Sequence, residues 1–168
     1  SSPFSEIRKA VDICEKLMAE PDSPILGLHV EGPYLNRKMA GEQFANQVKE
    51  VDVAEYTSLL ESTDCIKRWD ASPELPGALD FARYLKSKGL VGAVSHTEAE
   101  YDGIKEAYEA GFTHAAHFYN AMPGFHKRRE YKYEGTVESV YLTDGMTIEL
   151  IADGIHLPST ILKLAYKL

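Results

Sequence analysis

The sequence predicts an α/β fold on a parallel sheet, of the (β/α) TIM-type barrel kind and incomplete, with about five of the eight βα units present. Three observations carry this expectation. Short apolar runs alternate with helically spaced segments along the whole chain. Polar, chemistry-bearing residues stand at the C-terminal end of each run, where barrel enzymes collect their functional groups. Neither GxGxxG nor GxxxxGK[ST] occurs, so the glycine-rich phosphate turn common in doubly wound sheets is missing.

Each element has its own reason. Ile7, Ala10, Val11, Cys14, Leu17 and Met18 recur at helical spacing, which predicts a helix over 3–20 with Ser2-Pro3 at its cap and first turn. Pro21 and Pro24 end it. PILGLHVE (24–31) reads as a buried strand, and 32–50 as a polar connection long enough to imply function. A helix near 52–62 leads to a strand at 65–71. The next helix, 75–88, stops at Gly89, where a C-cap favours glycine. LVGAVSH (90–96) is a strand. Thr97-Glu98-Ala99-Glu100 has the form of a capping box opening a helix that Gly111 closes. THAAHFY (113–119) is a strand, 121–134 a second long loop, TIELIAD (147–153) the fifth strand, and Pro158 begins the last helix, 159–168. No linker or low-complexity stretch divides the chain, so 1–168 is read as one partial barrel domain, a whole barrel taking ~250 residues.

Composition narrows the function. The 168 residues are 44% hydrophobic and 26% charged, which excludes disordered, collagenous and coiled-coil classes. A formal charge of −8 argues against nucleic-acid and anionic-membrane partners. No apolar run approaches the ~20 residues of a membrane span, and the N-terminal SSPFSEIRKAV lacks a signal-peptide plan. Cys14 and Cys65 are far apart without metal-type spacing, as buried thiols of a reducing compartment would be. A cytoplasmic location is the expectation.

Glu31, His96 and His117 each close a different strand, and a barrel would bring them together at its mouth. Two imidazoles and a carboxylate suit Zn²⁺ or a similar divalent ion and leave a position for water, whose pKa the ion lowers. A lone strand histidine is more often a hydrogen-bonded core residue than a ligand, but as a set the three favour metal. His29 shares a strand face with Glu31 and is expected one layer below it. His114 and His117 are an odd number apart and are expected on opposite faces. Lys127, Arg128, Arg129 and Lys132 form the one dense basic patch; it is either solvated surface or a grip for phosphate or carboxylate.

These residues carry a resemblance. GLHVEGPYLN (27–36), VSH (94–96), THAAHFYNAM (113–122) and IADGIH (151–156) are similar, in content and order, to the N-acetylglucosamine-6-phosphate deacetylases of the amidohydrolase superfamily, from about Ile25 onward. The resemblance implies that Glu31, His96 and His117 bind the metal, zinc or iron. It implies that Asn120 and Ala121 hold the sugar phosphate, that Gln43 lies near the substrate, and that His156 is a catalytic residue contacting substrate near the scissile amide. Arg128 or Arg129 would bind the phosphate, with Arg128 preferred. The implied reaction is metal-dependent hydrolysis of N-acetylglucosamine 6-phosphate to glucosamine 6-phosphate and acetate, in a homo-oligomer.

The chain also departs from that family. The family's general-base aspartate stands on a Thr-Asp-Ala strand, and its first strands carry H-x-H; neither occurs here. Asp153 is no substitute, because its Ala-Asp-Gly setting belongs to another strand. A fragment that is inactive alone, and self-associates through exposed strand edges, is therefore expected. The alternatives are an amidohydrolase acting on a cyclic amide and a non-catalytic sugar-phosphate or metal-binding module.

Overall fold

A computed structural model describes residues 1–168. Helix α1 (Phe4–Met18) buries Ile7, Val11 and Cys14 on one face and leads to strand β1 (Leu28–Glu31). A 3-10 turn at Arg37–Met39 precedes helix α2 (Val53–Leu60), strand β2 (Ile66–Ala71), helix α3 (Ala78–Ser87) and strand β3 (Val91–Val94). Helix α4 (Tyr101–Ala110) and strand β4 (Phe112–Ala115) follow. A hairpin of β5 (His126–Arg128) and β6 (Tyr131–Tyr133), helix α5 (Thr136–Tyr141), strand β7 (Thr147–Ile148) and helix α6 (Ser159–Lys167) complete the chain. No helix is long and apolar enough to cross a membrane.

The five expected strands form one sheet in the order β1-β2-β3-β4-β7, and every neighbouring pair is parallel. Register aligns Glu31 with Asp70, Asp70 with Ala93, Ala93 with His114, and His114 with Thr147. Aligned residues of parallel strands share a face, so this row lies on the polar inner side. Trp69, one position out of phase, faces the helices. There it stacks on Tyr34 (centroids 5.8 Å apart, planes at 9°) and meets Phe81 of α3 edge-on at 5.4 Å. All three are fully buried. Trp69 Nε1 also donates to the Gly32 carbonyl (2.8 Å), fixing the chain just beyond Glu31.

The sheet is curled. Three spacings separate β1 from β4, about 14 Å on a flat sheet, yet Glu31 touches His117, two residues beyond β4. Arg68 of β2 likewise reaches Glu149, the residue after β7. Such chords exist only when the inner face is concave.

Several expected boundaries are corrected. The strands are shorter than the apolar runs. Residues 24–27 lie outside β1, where Gly27 passes so close to β2 that a Cβ would fall 2.5 Å from the Cys65 carbonyl oxygen. β4 ends at Ala115, because His117 and Tyr119 take positive φ (32° and 76°). The expected strand at 147–153 is reduced to two residues and then bends. Thr97 does not cap a helix: its hydroxyl accepts from Ala99 N (2.9 Å) and donates to Glu74 (2.5 Å), and α4 starts four residues later. The loop read over 121–134 contains the β5–β6 hairpin, and α5 follows it unannounced.

Candidate metal centre

Glu31 ends β1, His96 lies two residues past β3, and His117 lies two past β4. His96 (φ 46°), His117 (φ 32°) and Ala121 (φ 51°) all hold left-handed backbone, which residues bearing a Cβ seldom adopt. Such outliers persist where surrounding structure fixes them, and they gather at functional sites. These turns aim both imidazoles back at the strand ends. The ligating atoms of the three residues lie within 4.8 Å of one another. Glu31 Oε1 is 2.8 Å from His96 Nε2 and 3.3 Å from His117 Nε2.

The far side of each ring determines what the near side offers. His96 Nδ1 donates to the Met39 carbonyl (2.8 Å), and His117 Nδ1 to the Asn120 carbonyl (3.2 Å). A carbonyl only accepts, so both Nδ1 atoms carry hydrogen. In the neutral rings both Nε2 lone pairs then face the Glu31 carboxylate. Three electron-pair donors converge, and either protons or a cation must sit among them. Carbonyl-anchored imidazoles are the usual second layer of a metal site. Hydrogen bonds from His117 and then His96 hold the Glu31 carboxyl far below the usual carboxylate range. Burial works against a charged His117, but the hydrogen bond and charge of Glu31 outweigh it and raise its pKa. The donor set fits a divalent ion.

A cavity of about 360 Å³ opens onto these atoms, lined also by Gln43, Asn120, Ala121, Ile151 and His156. The cavity thus gathers Glu31, Gln43, His96, His117, Asn120, Ala121 and His156 and leaves out Arg128 and Arg129. His156 is tied by Nδ1 to Asp153 Oδ2 (2.7 Å), while Asp153 Oδ1 accepts the backbone N–H groups of Ile155 and His156 (2.8 and 3.0 Å). Those backbone bonds, then the ring, hold the Asp153 carboxyl down to about 2. Arg128 sits on the β5–β6 hairpin, paired with Glu100 and stacked 4.8 Å above the Tyr133 ring, and does not line this cavity. A larger groove of about 620 Å³ runs between α3 and α4 past Glu74, Asp80, Arg83 and Glu106. No convergent donor set faces it, so chemistry rather than size selects the smaller cavity.

His29 lies below Glu31 as expected, with Nε2 2.7 Å from Asp70 Oδ2. The opposite-face expectation for His114 and His117 is corrected: Glu149 is 3.7 Å from His114 Nε2 and accepts the His117 N–H at 3.0 Å. Alternation fails because the strand stops between them. Sequence reasoning missed Met39 as the anchor of His96, since a backbone acceptor leaves no mark on side-chain pattern. It also missed Glu149 and Arg68, although an acid inside the apolar run TIELIA and the Lys67-Arg68 pair inside IKRWDA were visible.

Curled parallel sheet and Glu-His-His donor set together define an α/β protein with a candidate metal centre at the strand ends. No family model matches the chain. Among curated proteins it is similar to N-acetylglucosamine-6-phosphate deacetylase of Bacillus subtilis (strain 168), 34% identical over 143 residues, covering 84% of this chain and 35% of that protein. The crystal structure of N-acetylglucosamine-6-phosphate deacetylase from Pasteurella multocida superposes with a TM-score of 0.89 at 27% identity, over 99% of this chain and 42% of that one. A variant of the Mycobacterium smegmatis deacetylase, in complex with N-acetyl-D-glucosamine 6-phosphate, gives 0.88 at 27% identity with the same coverage. The resemblance read from the sequence is borne out. The chain is similar to a segment of these deacetylases and spans ~35–42% of their length.

Proposed function

We propose that the chain is the metal-holding part of a (β/α)-barrel amide hydrolase, residues 1–168 forming a partial barrel domain. The whole protein would remove the acetyl group of N-acetylglucosamine 6-phosphate, releasing glucosamine 6-phosphate and acetate in amino-sugar catabolism. One observation carries the reading: Glu31, His96 and His117 converge from three strand ends, with both imidazoles anchored through Nδ1. The curled sheet supports the barrel.

Glu31, His96 and His117 would hold the ion, and a carboxylate with two imidazoles suits zinc or iron. When bound, the ion supplies Lewis acidity toward the amide carbonyl and lowers the pKa of water. The residues of the chain do the rest. His156, oriented by Asp153, offers Nε2 to the acetamide. Gln43, Asn120 and Ala121 seat the sugar phosphate along the cavity wall. The resemblance also gives Arg128 to the phosphate; its pairing with Glu100 must break for that role. Self-association is part of the proposal, since β1 and β7 each pair on one side only within the chain.

The test is amide NMR of the chain titrated with N-acetylglucosamine 6-phosphate, with and without zinc. Shifts confined to Gln43, Asn120, Ala121 and His156, stronger with zinc, are expected. Shifts around the α3–α4 groove, or none in the zinc-loaded chain, overturn the proposal.

A further inference from the structure

His117 occupies an awkward place. Its strand has ended, its φ of 32° is one that residues bearing a Cβ avoid, and its N–H points to the inner face. A single residue holds this turn at three points. Glu149 N donates to Ala115 O (3.1 Å), Phe118 N donates to Glu149 O (2.8 Å), and His117 N donates to Glu149 Oε1 (3.0 Å). Two of these bonds extend the backbone pairing of β4 and β7. The third depends on a side chain alone.

That side chain is itself fixed. Arg68 grips the Glu149 carboxylate with both terminal nitrogens, at 2.6 and 2.9 Å, in the paired geometry that only a guanidinium offers. Arg68 rests in turn on Asp70 through Nε (2.8 Å), and fully buried Asp70 also meets His29. A chain of charge-assisted bonds thus runs from β1 through β2 to the end of β7, directly beneath the candidate ligands. It ends on the backbone of one of them.

We infer that Glu149, locked by Arg68, is a positioning residue for His117: its carboxylate holds the left-handed turn that aims Nε2 at Glu31. The inference rests on the metal reading above. Asn120 supports the same turn from the other side, its backbone N–H and side-chain amide both donating to His117 O (2.9 and 3.0 Å). Only Glu149 restrains the N–H end through a side chain. Losing an outer partner of a metal ligand typically costs 10–100-fold in metal affinity.

The test is zinc affinity of the 168-residue chain, measured by competition with a chromophoric chelator near neutral pH, with far-UV circular dichroism on each variant. Glu149→Ala is expected to bind zinc at least about tenfold more weakly while still folded, and Glu149→Gln, which keeps Oε1, to recover to within about threefold of wild type. Thr147→Val on the same strand removes the hydroxyl bonded to His114 and to Thr113 O, and is expected to leave zinc affinity unchanged. If the alanine variant does not fold, Glu149→Asp carries the test. It keeps the charge but falls a methylene short of the His117 N–H, and the same direction of loss is expected. Wild-type zinc affinity in the alanine or aspartate variant overturns the inference, as does a glutamine variant weakened as far as the alanine one. A wild-type chain that binds no zinc overturns the metal reading itself, which separates the two failures.

Discussion

Glu31 at the end of β1 and His117 beyond β4 meet at 3.3 Å, although three strand spacings part their strands in the sheet. Curling of the sheet makes the contact, and the two turns after β3 and β4 aim the rings. In the metal-free chain the contact is an ion pair whenever His117 is protonated, and its contribution to stability therefore depends on pH.

Glu31 has a depressed pKa, so its contribution is present above the ordinary value of 4.5 and is lost as pH falls through the folded value. His117 has a raised pKa, so its contribution is present below 6.5 and is lost as pH rises through the folded value. Both are complete only between these two limits. The chelator-treated chain is expected to melt highest in that window. Zinc should move the maximum upward, because the ion competes with protons for the same lone pairs. Melting curves across pH, with and without zinc, check this; identical profiles in wild type and His117→Asn would contradict it.

Asp153 orients His156 without touching the three candidate ligands. Asp153→Ala is expected to weaken binding of amino-sugar phosphate to the zinc-loaded chain by about threefold to tenfold, the loss of a hydrogen-bonded support. Zinc affinity should not change. Calorimetric titration of each ligand separates the two effects.

Trp69 is the only tryptophan, is fully buried, and donates to Gly32 O next to Glu31. Trp69→Phe removes buried volume and strands that carbonyl, for an expected loss of about 2–3 kcal/mol. Urea denaturation followed by circular dichroism measures it. A change below 0.5 kcal/mol, the usual scale of a neutral surface substitution at about that size, would contradict the packing account.

Arg128 is paired with Glu100 outside the cavity. The proposed phosphate role requires that pair to break, so Arg128→Ala is expected to leave zinc affinity unchanged and to weaken amino-sugar phosphate binding in titration. A tenfold or larger loss for the sugar phosphate alone would show that the hairpin turns inward when ligand binds.

The parallel five-stranded sheet was legible because each strand is a short apolar run between helical patterns. Glu31, His96 and His117 were legible because each follows such a run as a lone ligand-type side chain. What escaped was set by tertiary contacts. α5 (TVESVY) is rich in β-branched residues that read as strand. It becomes helix where Glu138 takes the Gly135 N–H (2.9 Å) and Val137 and Val140 bury against the core. The β5–β6 hairpin turns at Arg129 with φ 55°, without the glycine or asparagine that announces such a turn. Strand parity misplaced His114 against His117, since a left-handed residue resets the alternation.

Zinc binding by four single variants tests the ligand assignment most directly. Wild type and His114→Asn, whose imidazole lies beside Glu149 below the site, should each hold one equivalent of zinc by elemental analysis after dialysis. Glu31→Gln, His96→Asn and His117→Asn should each lose it while remaining folded. Retention of full zinc by Glu31→Gln or His117→Asn, or equal loss in all four, would contradict the account.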